Sequence, residues 1–205
     1  FHAYLQQNNI PFEGIFASGF NHKVFQHIKV RATEASSRLA EERGEAPDIG
    51  GSGMRNAHLL AVAPNASSSI ICGGTSPSIE PYRANVYTHK TLSGSYQVKN
   101  KYLEKLLKSK GIKGKELESL WKDIAGHDGS VQHLDILSDE EKAVFKTANE
   151  INQIWVVEHA YKRQEFICQS QSVNLFFVLP KATESQEVHD EYMQYVNDVH
   201  WYGAN

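Results

Sequence analysis

One run, Arg55-Asn56-Ala57-His58-Leu59-Leu60-Ala61-Val62-Ala63-Pro64-Asn65-Ala66-Ser67-Ser68-Ser69, constrains this chain more than any other. His58 to Ala63 is short and almost wholly apolar, the pattern of a strand buried on both faces. Pro64 ends it, because proline has no N–H to give to a sheet ladder. Asn65 to Ser69 then bring one amide and three hydroxyls, and apolar Ile70 and Ile71 follow as a helix start. A strand leading through a small polar turn into a helix makes an anion cradle. The first N–H groups of the helix point outward, and its dipole favours negative charge there. Small polar residues after a strand also serve as ordinary helix caps, and the residues alone leave both readings open.

The rest of the chain alternates helical and extended patterns. Phe1 to Gln7 reads as the end of a helix broken at Asn8-Asn9-Ile10-Pro11. Asn21 to Arg43 is expected as a long helix with Asn21 as its N-cap and Gly44 as its stop. Val24, Phe25, Ile28, Ala32, Ala35, Leu39 and Ala40 form its apolar stripe. Asn85 to Lys90 and Tyr96 to Val98 read as extended pieces around Ser93-Gly94-Ser95. Asn100 should cap a helix over 101–110, and 115–125 should form the next, with Leu117, Leu120, Trp121 and Ile124 on one face and a lysine-rich solvated surface. Ser138-Asp139-Glu140-Glu141 is a capping box, expected to open one helix running to about Arg163. Val144, Phe145, Ala148, Ile151, Trp155 and His159 would line its buried side. Val173 to Val178 reads as a second buried strand, and Glu184 to Tyr202 as the last helix. The fold class is α/β.

Several chemistries are excluded. A net charge of -3 and a pI near 6.4 argue against nucleic acid or an anionic membrane as partner, and no apolar run is long enough to span a bilayer. The two cysteines, Cys72 and Cys168, suit a reducing cytosol, and each sits beside isoleucine as a buried small hydrophobe would. Gly50-Gly51-Ser52-Gly53 precedes a strand and lacks the Gly-Lys-Ser/Thr of a phosphate loop. His127, Asp128, His133 and Asp135 do not match a metal-ligand spacing, and Glu158-His159 has no second histidine. The serines at 67–69 lack a hydrolase's glycine-flanked elbow. Gln171 and Asn174 are polar groups in an apolar context, expected to pin loops through internal hydrogen bonds.

Four ordered blocks carry a resemblance. Arg55 to Ser69 is followed by Ser78-Ile79-Glu80-Pro81-Tyr82, then Leu92-Ser93-Gly94-Ser95-Tyr96-Gln97 and Gly129-Ser130-Val131-Gln132. Phe166-Ile167-Cys168-Gln169-Ser170-Gln171-Ser172-Val173-Asn174-Leu175 closes the series, and the upstream Ile10-Pro11-Phe12-Glu13 is similar too. Together they resemble the large subunit of class I ribonucleoside-diphosphate reductase, its viral and phage-like members in particular. The resemblance implies that residues 1–205 are one C-terminal segment of the family's ten-stranded α/β barrel. It implies that the turn holds the diphosphate of a ribonucleoside diphosphate substrate. Pro64, Ala66, Ser67 and Ser68 match the family's turn, whereas Asn65 stands where threonine is usual; Ser69 and Arg83 are secondary candidates.

The chain begins at Phe1 and ends at Gly203-Ala204-Asn205, which reads as a segment of a longer polypeptide. By the resemblance, the radical cysteine, the substrate-reducing cysteine pair, the general base and the ATP/dNTP effector sites lie upstream of it. A radical-relay tyrosine pair would follow Trp201-Tyr202-Gly203. No catalytic residue and no metal ligand is therefore expected in this segment, which alone should be inactive. Its implied partners are the complementary N-terminal part of the large subunit, a di-iron tyrosyl-radical small subunit, and thioredoxin or glutaredoxin as reductant. Cut from its barrel, the segment is expected to associate into an oligomer. The alternative is a non-catalytic nucleotide-binding or subunit-interaction module derived from the reductase.

Overall fold

Capping residues set several of the helix boundaries in the computed structural model, which describes residues 1–91, 94–180 and 184–204. In chain order the elements are α1 (His2–Gln7), α2 (Ile15–Arg43), α3 (Ala66–Ile71), β1 (Val86–Thr91), β2 (Gly94–Lys99), α4 (Lys101–Ser109), α5 (Gly114–Gly126), α6 (Asp139–Val144), α7 (Gln153–Gln164) and α8 (Gln186–Ala204). Asn100 opens α4 by accepting the N–H groups of Tyr102 (3.0 Å) and Leu103 (3.3 Å). Ser138 and Glu141 complete their capping box at α6, and Asn152 accepts Ile154 N–H at α7. Gly44 stops α2 with φ 81°, a backbone that glycine adopts without steric cost.

Two expected helix boundaries are overturned by tertiary contacts. α2 begins at Ile15, with Gly14 at its N-cap position, and Asn21 is not a cap. The Asn21 side chain is fully buried inside the helix, where it donates to His159 O (2.8 Å) and accepts from Arg163 Nη1 (3.2 Å). The helix expected from Ser138 to Arg163 is two helices. Between them Glu150 accepts from Thr147 N (2.7 Å) and Thr147 Oγ1 (2.9 Å), and Ala148 N donates to Tyr82 O (2.8 Å). The apolar positions explain the break. Val144 and Phe145 belong to the core formed by α4, α5 and the 131–137 loop, whereas Ile151 and Val156 pack with Leu5, Phe12 and Ala17. A straight helix could not deliver both sets to two separate clusters.

β1 and β2 form an antiparallel hairpin in the register Val86↔Lys99 to Thr91↔Gly94; Leu92 and Ser93 of the matched block lie outside the described residues. His58 to Ala63 is extended and pairs in parallel with the 169–172 segment. Gln169 N donates to Leu60 O (3.2 Å), Val62 N to Ser170 O (3.1 Å) and Ser172 N to Val62 O (2.9 Å). The expectation of burial on both faces fails: Val62 is buried, whereas Ala61 and Ala63 are exposed. Val173 to Val178 is extended and only partly buried, with no ladder among the described residues. An all-parallel sheet buries both faces of its strands, and among the described residues the 58–63 segment is paired along one edge only. The cysteines are also corrected, since Cys72 and Cys168 are both exposed.

The loop after α5 docks on the start of β1. Gly129 has φ 80°, and a Cβ built there would lie 2.5 Å from Ala84 Cβ, while Gly129 O accepts from Asn85 N (3.1 Å) and Nδ2 (3.0 Å). Replacing Gly129 by alanine forces a close clash at a left-handed residue. A loss of roughly 2–4 kcal/mol is expected in a urea unfolding series, and a change within error would refute this docking.

Candidate functional site

The segment leading to the 64–69 turn is tied to α2 at its start, and the turn's helix is tied to the Gly73–Tyr82 loop through Thr75 N and Ser69 O. Ser36, buried in α2, accepts Asn56 N–H (2.9 Å) and donates to Asn56 Oδ1 (3.0 Å), fixing the entry to the extended segment. Cys168 fastens the same segment from its other side. Its sulfur accepts the N–H groups of Leu59 (3.0 Å) and Leu60 (3.1 Å), and these donors lower the thiol pKa. Sequence reasoning took Cys168 for a core residue; it acts as an exposed cap on the strand that carries the site.

Pro64 ends that strand, and Asn65 turns the chain with left-handed angles (φ 51°, ψ 33°) into α3. Asparagine tolerates this conformation better than β-branched residues do. The Asn65 side chain makes no capping bond, so the ordinary-cap reading is not what the structure adopts. The N–H groups of Ala66, Ser67 and Ser68 find no acceptor among the described residues, and the first turn holds no acidic residue. Pro64, Asn65, Ala66, Ser67 and Ser68 are all exposed. Ser68 Oγ reaches back to Asn65 O (3.3 Å). Ser69 differs from its neighbours: it is buried and donates to Ala66 O (2.7 Å), bracing the helix from inside. The result is a short helix start presenting bare backbone donors and small side chains to solvent.

A chain of hydrogen bonds links the far end of α3 to the core. Thr75 N donates to Ser69 O (3.2 Å), Tyr82 OH to Gly74 O (3.2 Å), and Tyr82 N to His2 Nδ1 (2.9 Å). His2 is fully buried, and burial lowers its pKa to about 3. It is therefore a neutral acceptor for Tyr82 near neutral pH.

The Gln171 and Asn174 expectation holds. Gln171 donates to Ala160 O (3.0 Å) and Gln164 Oε1 (2.6 Å) and accepts from Arg163 Nε (2.5 Å), while Asn174 donates to Glu80 Oε1 (2.6 Å). Arg163 is buried beneath them with its guanidinium over the Phe25 ring, 5.7 Å from the centroid, and burial lowers its pKa to about 10. Among the described residues no carboxylate pairs with it, so neutral oxygens and a ring face hold a buried cation.

Arg83 packs on an aromatic ring. Its guanidinium lies over the Phe176 ring, 5.2 Å from the centroid, and it forms no ion pair among the described residues. The Gly50–Gly53 loop is already filled from within, since the Glu45 carboxylate accepts Gly51 N–H and Gly53 N–H (2.8 Å).

A bare helix start at the carboxyl end of a parallel strand is where α/β sheets and barrels place ligands. The comparisons with known proteins agree with that class and narrow it. The chain belongs to the ribonucleotide reductase barrel-domain family, whose model matches residues 46–202. It is 46% identical over 200 residues to the ribonucleoside-diphosphate reductase large subunit of invertebrate iridescent virus 3, covering 98% of this chain and 30% of that protein. The large subunit of invertebrate iridescent virus 6 is 47% identical over 191 residues, covering 92% of this chain and 20% of the relative. In structure the chain is similar to the class Id ribonucleotide reductase alpha subunit of Actinobacillus ureae, with TM-score 0.79 and 40% identity, over 97% of this chain and 35% of that one. The chain thus spans about a third or less of these proteins, and its fold is part of an α/β barrel. Among the described residues no helix is long and apolar enough to cross a membrane.

Proposed function

We propose that this chain is part of the large subunit of a ribonucleoside-diphosphate reductase, and that its 64–68 turn holds the diphosphate of the substrate. The observation that carries the reading is the set of unsatisfied N–H groups of Ala66, Ser67 and Ser68 at the carboxyl end of the Leu60–Val62 strand. Neutral donors and a helix dipole bind phosphate without a lysine or arginine partner, and none lies within the turn. Asn65 in place of threonine is compatible with this, because main-chain amides supply the donors.

The remaining barrel strands, the radical cysteine and the effector sites for ATP and dNTPs would come from a complementary N-terminal part. A radical-generating small subunit and a thioredoxin or glutaredoxin would complete the system. Exposed Ile15 (77%), Phe16 (79%), Ile71 (86%) and Leu179 (77%) fit an apolar surface that such a complement covers. The test is cytidine diphosphate reduction by this chain with its upstream polypeptide, small subunit and thiol reductant, each omitted in turn. Turnover is expected only when all are present. Full turnover without this chain, or none with every partner competent, would leave a non-catalytic module.

A further inference from the structure

Asp123, His127 and His133 stand apart from the diphosphate turn and have no part in the reading above. Asp123 lies in the last turn of α5, and His127 is the C-cap residue four positions later, so the two side chains share one face of the helix. The chain then reverses through Asp128 (φ 54°) and Gly129 (φ 80°) and brings His133 back beside them. His133 Nε2 lies 2.9 Å from Asp123 Oδ2, and His127 Nδ1 lies 2.9 Å from the Asp123 backbone O and 3.4 Å from Oδ1, which leaves His127 Nε2 free for an ion. The two imidazoles stack with centroids 3.7 Å apart and planes 22° from parallel. One nitrogen or oxygen from each residue falls within 4.8 Å of the other two.

These separations suit one small cation. Zinc bonds of about 2.0–2.2 Å place tetrahedral ligand atoms roughly 3.3–3.6 Å from one another. The backbone is already in place and only the side chains must move: the stacked rings have to turn about their χ angles, because each imidazole nitrogen binds in its own ring plane. Gly129 N donates to Ile124 O (2.9 Å), Ser130 N to His127 O (2.9 Å), and buried Val131 and Leu134 fix the two sides of His133. The electrostatics favour a cation as well. The carbonyl end of α5 points at the site, and Glu116 and Asp135 line the groove that contains Asp123 and His133. The spacing of His127, Asp128, His133 and Asp135 hid the set, because the third ligand is Asp123, a helical turn upstream.

We propose that Asp123, His127 and His133 form a binding site for a divalent transition metal ion of the imidazole-preferring class, with water in the remaining position. The ion replaces the hydrogen-bonding proton between the Asp123 carboxylate and His133, His127 keeps its Nδ1 on the Asp123 carbonyl, and binding requires both imidazoles to be neutral. All three residues are exposed, so the ion enters directly from solvent. Its effect is to staple the end of α5 to the loop that carries Gly129. Through the bonds from Asn85 to Gly129 O, it steadies the start of β1.

The experiment is a titration of Co2+, then of Zn2+, into the assembly containing this chain, followed by visible absorption and by calorimetry. Native protein is compared with Asp123→Asn, His133→Gln and, as a control outside the ligand set, Asp128→Asn. The expected result is one extra equivalent per chain in native protein and in Asp128→Asn, displaced by a chelator. Its affinity should fall about tenfold or more in Asp123→Asn and in His133→Gln. Equal binding by the native, Asp123→Asn and His133→Gln proteins would overturn the assignment. So would loss of the equivalent in Asp128→Asn, which would trace it to the loop's fold rather than to these ligands.

Discussion

Lowering the pH from about 6.5 towards about 3 will destabilise this chain steeply, because two buried histidines are held neutral. His2 Nδ1 accepts the Tyr82 N–H, so a proton added there would face another donor. His159 donates from Nε2 to Phe12 O (2.8 Å), and its buried Nδ1 has no partner. Burial lowers its pKa to about 4, and the Arg163 cation lowers it further. The ordinary value of 6.5 describes the unfolded chain, and the folded values are about 3 and about 4. Between those limits the unfolded state binds protons that the folded state refuses. The stability is therefore fully present above about 6.5 and is lost as the pH falls through the window. Each histidine contributes a slope of about 1.4 kcal/mol per pH unit while only the unfolded form titrates. Urea midpoints measured across this range should fall with close to a two-proton slope. In His2→Gln, whose amide oxygen can accept from Tyr82, the slope should drop by about one proton. An unchanged slope would show that His2 is not a neutral acceptor in the folded chain.

Glutamate at both Ser67 and Ser68 will abolish diphosphate binding without harming α3. The substitution adds two negative charges where the reading places the phosphates, and substrate affinity should weaken by about a hundredfold or more, roughly 3 kcal/mol. The same charges are favourable at a helix N-terminus, so thermal stability should hold or rise slightly. Opposite signs for binding and stability separate a ligand site from a structural turn. Ser67→Ala should cost only a few-fold in affinity, because the backbone N–H groups remain. Retained affinity in the double glutamate variant would remove the diphosphate from this turn.

Much of the candidate site was legible in one stretch because its physics is local. Pro64 must end a ladder, small residues after it must allow a helix start, and an apolar Leu60–Val62 run must seek a neighbouring strand. The resemblance to the reductase large subunit rested on several ordered blocks, and two of them, that stretch and the 166–175 block, pair through Val62 and Gln171. What the string did not disclose was how Asn65 behaves. Asparagine after a strand suggests a side-chain cap, yet here it supplies a left-handed backbone and leaves the donors open.

Sequence alone determined the elements whose causes lie within a few residues: the caps at Asn100 and Ser138, the glycine stop at Gly44, the two extended pieces around Ser93-Gly94-Ser95, and the proline-led turn. Tertiary structure decided wherever a side chain took a partner far along the chain. Asn21 became a buried bridge to α7, and the capping-box helix broke to serve two cores. Cys168 left the core to cap a strand, and Asp123 joined two histidines across a loop. Capping and turn formation depend on near neighbours that the string displays. A buried hydrogen bond or a ligand cluster depends on which distant groups the packed chain brings together, and only folding selects them.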